Sequence, residues 1–321
     1  VVIGVDLFSG AGGMSLGATL AGVEVALGVE SDPWASKTFS ENHRQTNVFR
    51  GDIRQLVPKD LRALGKRRND LVVFGGPPCQ GFSWSNLKTR RLNNDANWLF
   101  LEFVRVINFL RPAWFVFENV QGIVNTEGGQ FISELKSLLK PKYQLTEALL
   151  NAKDFGVPQD RTRYFLVGSR EGVAYAIPTP SKLPTPTVED AIRDLPSLAN
   201  GDSVCWRKYG KKRPSAYAIK LRGDRSGCHN HLVTRNSEYV LKRYKHVPQG
   251  GNWEDIPPRL MTNYADRTRC HTGIYHRLQS TLPSVVIGNF RKNMLIHPFE
   301  DRGLSVREAA RIQSFPDSFC F

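Results

Sequence analysis

The chain has 321 residues, 40% of them hydrophobic, with 44 Lys and Arg against 30 Asp and Glu and a formal net charge of +14. That length supports one large domain plus a smaller one; no apolar run approaches membrane-spanning length, so a soluble globular protein is expected, with no membrane partner. The charge disfavours an acidic small metabolite and favours a polyanion such as nucleic acid, the competing reading being a basic but indifferent surface.

Cys79, Cys205, Cys228, Cys270 and Cys320 form no C-x-x-C pair and no even framework, so reduced, intracellular cysteines are expected. Residues 1–8 carry no basic leader and read directly as a core strand, apolar on both faces. The chain opens inside that strand without an initiator methionine and closes on Ser318-Phe319-Cys320-Phe321, so flanking sequence is expected at both ends.

Taken in order, Asp6-Leu7-Phe8-Ser9-Gly10-Ala11-Gly12-Gly13 is a tight glycine turn after the first strand. Met14 to Ala21 has helical apolar spacing, Gly22 ends it, and Val23 to Val29 is a second strand finishing in Glu30. Strand, glycine turn, helix, strand and acid is the layout of a nucleotide-binding βαβ unit. The strict G-x-G-x-x-G spacing fails: counting from Gly10 the third position holds Ser15, and counting from Gly12 the second holds Met14. Without close backbone approach or a cation for a pyrophosphate, an adenosine cofactor lacking phosphates fits better. Glu30 would accept its ribose hydroxyls, and S-adenosylmethionine is the cofactor expected. Trp34 reads equally as a ring against the adenine face or as a core tryptophan. Asp52, after a short strand at Val48-Phe49, either accepts from the adenine amine or closes an Asx turn.

Lys59 to Arg68 reads as a basic surface segment, and Leu71 to Phe74 as a buried strand. Gly75-Gly76-Pro77-Pro78 then stops regular structure and leaves Cys79 on a stiff loop at the strand mouth, where open α/β sheets bind ligands. Cys79 is therefore a candidate nucleophile or, equally on the loop alone, a small buried cysteine. Leu99, Phe103, Ile107 and Leu110 recur at helical spacing, and Ala113 to Phe117 is a strand running into Glu118-Asn119-Val120. Glu118 ends the strand after the Cys79 strand, so both side chains can face one crevice. A carboxyl group there can protonate a ring nitrogen while the thiolate adds to the adjacent carbon; the alternative is a strand-end glutamate satisfied locally. Phe131 to Leu139 is a further helix; Tyr143 to Leu150 and Tyr164 to Val167 are the last of seven strands. The expected fold is α/β, a doubly wound, mostly parallel Rossmann-like sheet.

With these motifs placed, the chain resembles the cytosine-5 DNA methyltransferase family of bacterial restriction-modification systems. Asp6 to Gly13 resembles its cofactor loop, Gly76-Pro77-Pro78-Cys79-Gln80 its catalytic loop, Glu118-Asn119-Val120 its cytosine-recognition motif, and Gln159-Asp160-Arg161-Thr162-Arg163 its paired-arginine motif. Leu304 to Asp317 is similar to the helix supporting the target-recognition region. The resemblance implies that Cys79 attacks carbon 6 of a flipped cytosine and that Glu118 holds ring nitrogen 3 and the exocyclic amine. It implies that Arg163, with Arg161 beside it, binds the target nucleotide and helps hold the catalytic loop, which Asn119 braces through Pro78. Phe8, Ser9, Gly10, Gly12, Gly13, Leu16, Glu30, Trp34, Asp52, Ile53, Pro77 and Leu99 are the implied cofactor residues, and Ser85 approaches the gap left by the flipped base.

Pro178, Pro180, Pro184 and Pro186 form a proline-rich hinge. Residues 205–225 then carry eight basic residues against one acidic, interleaved with Trp206, Tyr209 and Tyr217. Arg207, Lys208, Lys211, Lys212 and Arg213 are the candidate DNA contacts, a solvated basic loop being the alternative. Expected domains are 1–177 (catalytic, cofactor-binding), 178–285 (target recognition) and 286–321 (a segment returning toward the catalytic domain). Cys228, His229, His231, Cys270 and His271 match no standard zinc spacing, and no metal is expected. The family's final Gly-Asn motif is missing after Phe315-Pro316-Asp317, through truncation, permutation or a split enzyme. The expectation is a monomeric DNA cytosine-5 methyltransferase acting on duplex DNA in the bacterial cytoplasm at the nucleoid. An RNA enzyme of the same chemistry and a non-catalytic relative stand as alternatives.

Overall fold

The computed structural model describes residues 1–78, 99–263, 273–292 and 294–321. They form two compact units, one of residues 1–150 with 162–179 and one of 151–161 with 180–321.

The first unit is built on a seven-stranded sheet. Its elements run β1 (Ile3–Leu7), α1 (Gly13–Leu20), β2 (Glu24–Glu30), α2 (Pro33–Asn42), β3 (Asn47–Arg50), α3 (Pro58–Gly65) and β4 (Leu71–Gly75). They continue with α4 (Leu99–Leu110), β5 (Trp114–Val120), α5 (Gln130–Leu139), β6 (Gln144–Asn151) and β7 (Thr162–Ser169). The strand order is β3-β2-β1-β4-β5-β7-β6. The pairs from β3 through β5 are parallel, and β7 lies antiparallel to β5, so the doubly wound, mostly parallel sheet of the sequence reading is the fold found. β1 is an interior strand, between β2 and β4, and all five of its residues are buried, as expected of a strand covered on both faces. The order reverses at β1/β4, and open sheets of this kind bind ligands at the carboxyl ends of such strands.

Two helices depart from the sequence reading. α2 begins at an Asp32 cap that accepts from the N–H groups of Trp34 and Ala35, with Pro33 in its first turn. α3 occupies most of the segment read as a basic surface stretch; it anchors on Leu61 alone among its fully buried side chains.

The second unit contains α6 (Val188–Ile192), β8 (Trp206–Lys208), α7 (Ala216–Arg222), β9 (Gly227–His229), α8 (Glu238–Tyr244) and α9 (Val306–Ile312). β8 and β9 form a two-stranded antiparallel sheet. Buried arginines hold this unit together. Arg311 pairs with Asp317 and Asp194, Arg302 forks onto Glu308 at 2.8 and 2.9 Å, and Arg307 donates to the carbonyls of His229, Pro316 and Phe319. Burial would push the Glu308 carboxyl up, but Arg302 and His297 hold it far below the usual carboxylate range. Breaking one such buried pair typically costs about 3–5 kcal/mol. Among the described residues no helix is long and apolar enough to cross a membrane.

Candidate active site at the carboxyl ends of the central strands

The turn after β1 is fixed from below and from the side. Asp6 is 1% exposed; one of its oxygens accepts from Ser15 Oγ at 2.6 Å, while Oδ1 has no partner among the described residues. Burial, opposed by the Ser15 hydrogen bonds, pushes the Asp6 pKa up to about 7. Phe8, just past the end of β1, takes a left-handed φ of 61°, a conformation rare for a bulky residue. Gly12 has a φ of 97°, and a Cβ there would lie 2.4 Å from His43 Nε2, so only glycine fits. Glu30, ending β2, accepts from the N–H of Gly10 and of Asp32, both at 2.7 Å. The carboxylate predicted to meet a ribose thus also clamps the glycine turn, with acceptor capacity to spare.

A cavity of about 300 Å³ opens beside this turn, lined by Phe8, Val29, Glu30, Ser31, Gly51, Asp52, Ile53, Gly76, Pro78 and Leu99. Five predicted cofactor residues meet here: Phe8, Glu30, Asp52, Ile53 and Leu99. Among the described residues the lining combines apolar side chains with Ser31 and two carboxylates, and neither Lys nor Arg takes part. Such a lining suits an adenosine that carries positive charge, so the residues present fit S-adenosylmethionine. Ser9, Gly10, Gly12, Gly13, Leu16, Trp34 and Pro77 are not among the lining residues; the first four shape the turn instead. Trp34 is 76% exposed, which removes the core alternative for it. Asp52 caps a 3₁₀ turn at Ile53–Gln55 and is gripped by Arg54 through both carboxylate oxygens, which holds its pKa below the usual range. The Asx-turn role is therefore realised.

Glu118 projects from β5 just beyond the Gly75–Phe117 register position. Arg163 on β7 meets it, Nε to Oε1, at 3.2 Å, both side chains being mostly buried. The other oxygen, Oε2, would stand 2.7 Å from a Cβ at Gly76, the residue that also lines the cofactor cavity. Glu118 therefore sits immediately behind the cavity wall, and the missing side chain at Gly76 is what gives it room. Asn119 is buried and donates to the carbonyl of Pro77 at 3.1 Å, while its own oxygen accepts from Val120 N–H. The brace predicted through Pro78 thus acts through Pro77, and Pro78 lines the cavity in the place expected of Pro77. Arg161 lies in the second unit, where its N–H donates to Asn151 Oδ1. Cys79, Gln80 and Ser85 lie outside the described residues.

In the second unit, part of the predicted DNA face is engaged internally. Arg207 pairs with Asp202, Arg222 with Asp194, Tyr209 donates to Asp317 and Tyr217 to the carbonyl of Arg311. Lys208, Lys211, Lys212 and Arg213 remain exposed. Cys228 is buried, and burial pushes its thiol up to about 11; His231 is held between Ser305 Oγ and the carbonyl of Pro196. Among the described residues no group of three His, Cys, Asp or Glu is placed to hold a metal, and Cys270 and His271 lie outside them.

Sequence reasoning missed the Asp6–Ser15 pair and the Arg105 clamp described below. Asp6 was legible as an acid inside an apolar strand; Arg105 left no signal, since an arginine on an amphipathic helix reads as surface.

A model of C-5 cytosine-specific DNA methylases matches residues 3–321. The Type II methyltransferase M1.HphI of Haemophilus parahaemolyticus is 36% identical over 99% of this chain and 78% of its own length. The Type II methyltransferase M.DdeI of Desulfomicrobium norvegicum is 32% identical over 99% and 79%. A crystal structure assigned as a DNA modification methyltransferase encoded within an E. coli prophage superposes with a TM-score of 0.79 at 29% identity, covering 100% of this chain and 90% of that one. The chain belongs to the family of C-5 cytosine-specific DNA methylases, enzymes that methylate carbon 5 of cytosine in DNA.

Proposed function

We propose that this chain methylates one cytosine within a specific duplex sequence, using S-adenosylmethionine and a covalent adduct on Cys79. The observation that carries the reading is the placement of Glu118, held by Arg163 and standing directly behind the Gly76 wall of the cavity. Three residues beyond Gly76 the sequence places Cys79. When bound, S-adenosylmethionine supplies an electrophilic methyl group on a sulfonium. Phe8, Ile53 and Leu99 would hold its adenine and Glu30 its ribose.

The remaining chemistry belongs to the protein. Cys79 adds as thiolate to carbon 6 of the flipped cytosine while Glu118 donates a hydrogen bond or proton at ring nitrogen 3, which makes carbon 6 electrophilic and carbon 5 nucleophilic. Arg163 orients Glu118 and keeps negative charge tolerable there; with Arg161 it serves the target nucleotide. After carbon 5 is methylated, its proton leaves as a proton, the carbon 5–carbon 6 double bond re-forms, and the bond from carbon 6 to sulfur breaks. Flipping costs a few kcal/mol, met by contacts to the extruded base and by Ser85 at the vacated stack. Lys208, Lys211, Lys212 and Arg213 supply phosphate contacts. A monomer suits this one-base reaction, and kinship with bacterial restriction-modification enzymes supports a cytoplasmic, nucleoid-associated site of action.

The test is the product. Duplex DNA and a matching RNA are incubated with the chain and S-adenosylmethionine, digested to nucleosides and analysed by mass spectrometry. 5-Methyldeoxycytidine from the duplex supports the reading. A methyl group on the exocyclic nitrogen, or methylation of the RNA alone, contradicts it.

A further inference from the structure

Arg105 lies in the middle of α4, outside every motif read from the sequence. Its guanidinium joins two elements: Nη2 donates to the carbonyl of Ile53 at 2.9 Å, Nη1 to that of Leu56 at 3.0 Å, and Nε to Glu102 Oε2 at 2.7 Å. Ile53 and Leu56 open and close the short turn that Asp52 caps, and both are buried. A three-residue 3₁₀ turn has little cooperative stability of its own, so what packs on it decides where it sits. Asp52 and Ile53 form one wall of the cofactor cavity, and Leu99, the first residue of α4, forms another. Leu99 and Arg105 stand six residues apart on one helix, roughly 9 Å along its axis. One rigid element therefore carries both the Leu99 wall and the group that grips the Asp52–Ile53 wall.

We infer that Arg105 is a positioning residue for the cofactor, setting the separation of these two walls. The inference rests on the reading of the cavity as the S-adenosylmethionine site. The guanidinium needs no contact with a ligand. Its fork satisfies two carbonyls at once, while Glu102, one turn earlier, holds the arginine through Nε; a lysine ammonium lacks that fork. Loosening the grip lets the turn drift, and binding must then restore it at the expense of affinity.

The experiment compares wild type with Arg105→Met, Arg105→Lys and Glu102→Gln. S-adenosylhomocysteine is titrated calorimetrically into each full chain, and kcat and cofactor KM are measured with saturating duplex. Arg105→Met is expected to raise Kd and KM about tenfold or more, with kcat at saturating cofactor within about twofold. Arg105→Lys should recover part of the loss, and Glu102→Gln should fall between. Where Arg105→Met does not fold, the other two are read by the same split. An arginine of purely structural importance would instead lower the melting temperature and the active fraction, hence kcat, and leave KM and Kd unchanged; that pattern overturns the inference. Wild type that fails to bind S-adenosylhomocysteine overturns the cofactor reading and the inference with it, whereas wild-type binding with unaltered variants overturns the inference alone.

Discussion

Asp6 couples the stability of this fold to pH in a direction opposite to that of most carboxylates. Its side chain is 1% exposed, one oxygen has only Ser15 as partner, and burial lifts its pKa from 3.8 to about 7. A raised pKa means that between those values the folded protein holds a proton that the unfolded chain has released. Stability therefore falls as pH rises through that window and levels off above it. With each pKa unit worth about 1.4 kcal/mol, the loss is at most about 4 kcal/mol, and relaxation around the ionised group will reduce it. Asp6→Asn keeps the shape and an acceptor for Ser15 but cannot ionise. Urea unfolding followed by tryptophan fluorescence at pH 5, 6, 7 and 8 should show the variant gaining on wild type by about 1–3 kcal/mol between pH 5 and 8, the part of the window above pH 5. The difference between the two proteins isolates Asp6 from the histidines that titrate in the same range. A difference that stays flat with pH, or a variant that loses ground above pH 7, would refute the reasoning.

Further expectations follow from single distances. A Cβ at Gly76 would meet Glu118 Oε2 at 2.7 Å, the movable end of a side chain, so Gly76→Ala should fold normally yet displace the carboxylate. Misplacement of about 1 Å can cost about a hundredfold in rate, and a Gly76→Ala enzyme with undiminished kcat would contradict the assigned position of Glu118. Gly75→Ala is the contrast: its Cβ would fall 2.1 Å from the Leu7 carbonyl oxygen in the neighbouring strand, so loss of folded protein on expression is expected, and a stable variant would count against the β1–β4 register. Gln159 is fully buried and neither amide atom has a partner among the described residues. Gln159→Met should therefore stabilise the free protein by about 1–3 kcal/mol in a urea titration, and destabilisation of that size would show that the amide is satisfied in solution.

What the sequence made legible, and what it did not, divides by range. β1 and β4 announce themselves because a strand buried on both faces reads as a nearly continuous apolar run, and the turn at Gly10 to Gly13 because few residues tolerate that backbone. α2 went unread although Asp32-Pro33 is a good start signal: only Ser36 and Phe39 of its ten residues are buried, so it shows almost no apolar stripe. α3 was obscured by the cations of Lys59 to Arg68, which occupy the exposed side of a helix resting on Leu61. The insertion of β7 between β5 and β6, and with it the meeting of Arg163 and Glu118, depends on pairing between distant segments that no local pattern encodes. Charge misled most in the second unit. Arg243, Arg277, Arg302, Arg307 and Arg311 count among the cations of the sequence but are buried on carbonyls and carboxylates, so these five are not available to a phosphate backbone. Glu118 and Asn119 could be chosen from their motif; that Asn119 reaches the carbonyl of Pro77 and not Pro78 required coordinates.

The most direct test of the central claim, a covalent adduct between Cys79 and cytosine, is trapping on duplex DNA containing 5-fluorocytosine. Fluorine cannot leave carbon 5 as a proton does, so the adduct persists. The account predicts a band of reduced mobility on a denaturing gel that requires S-adenosylmethionine, maps to a single cytosine and is lost in Cys79→Ala. An active enzyme that gives no such band, or a band retained in Cys79→Ala, would contradict it.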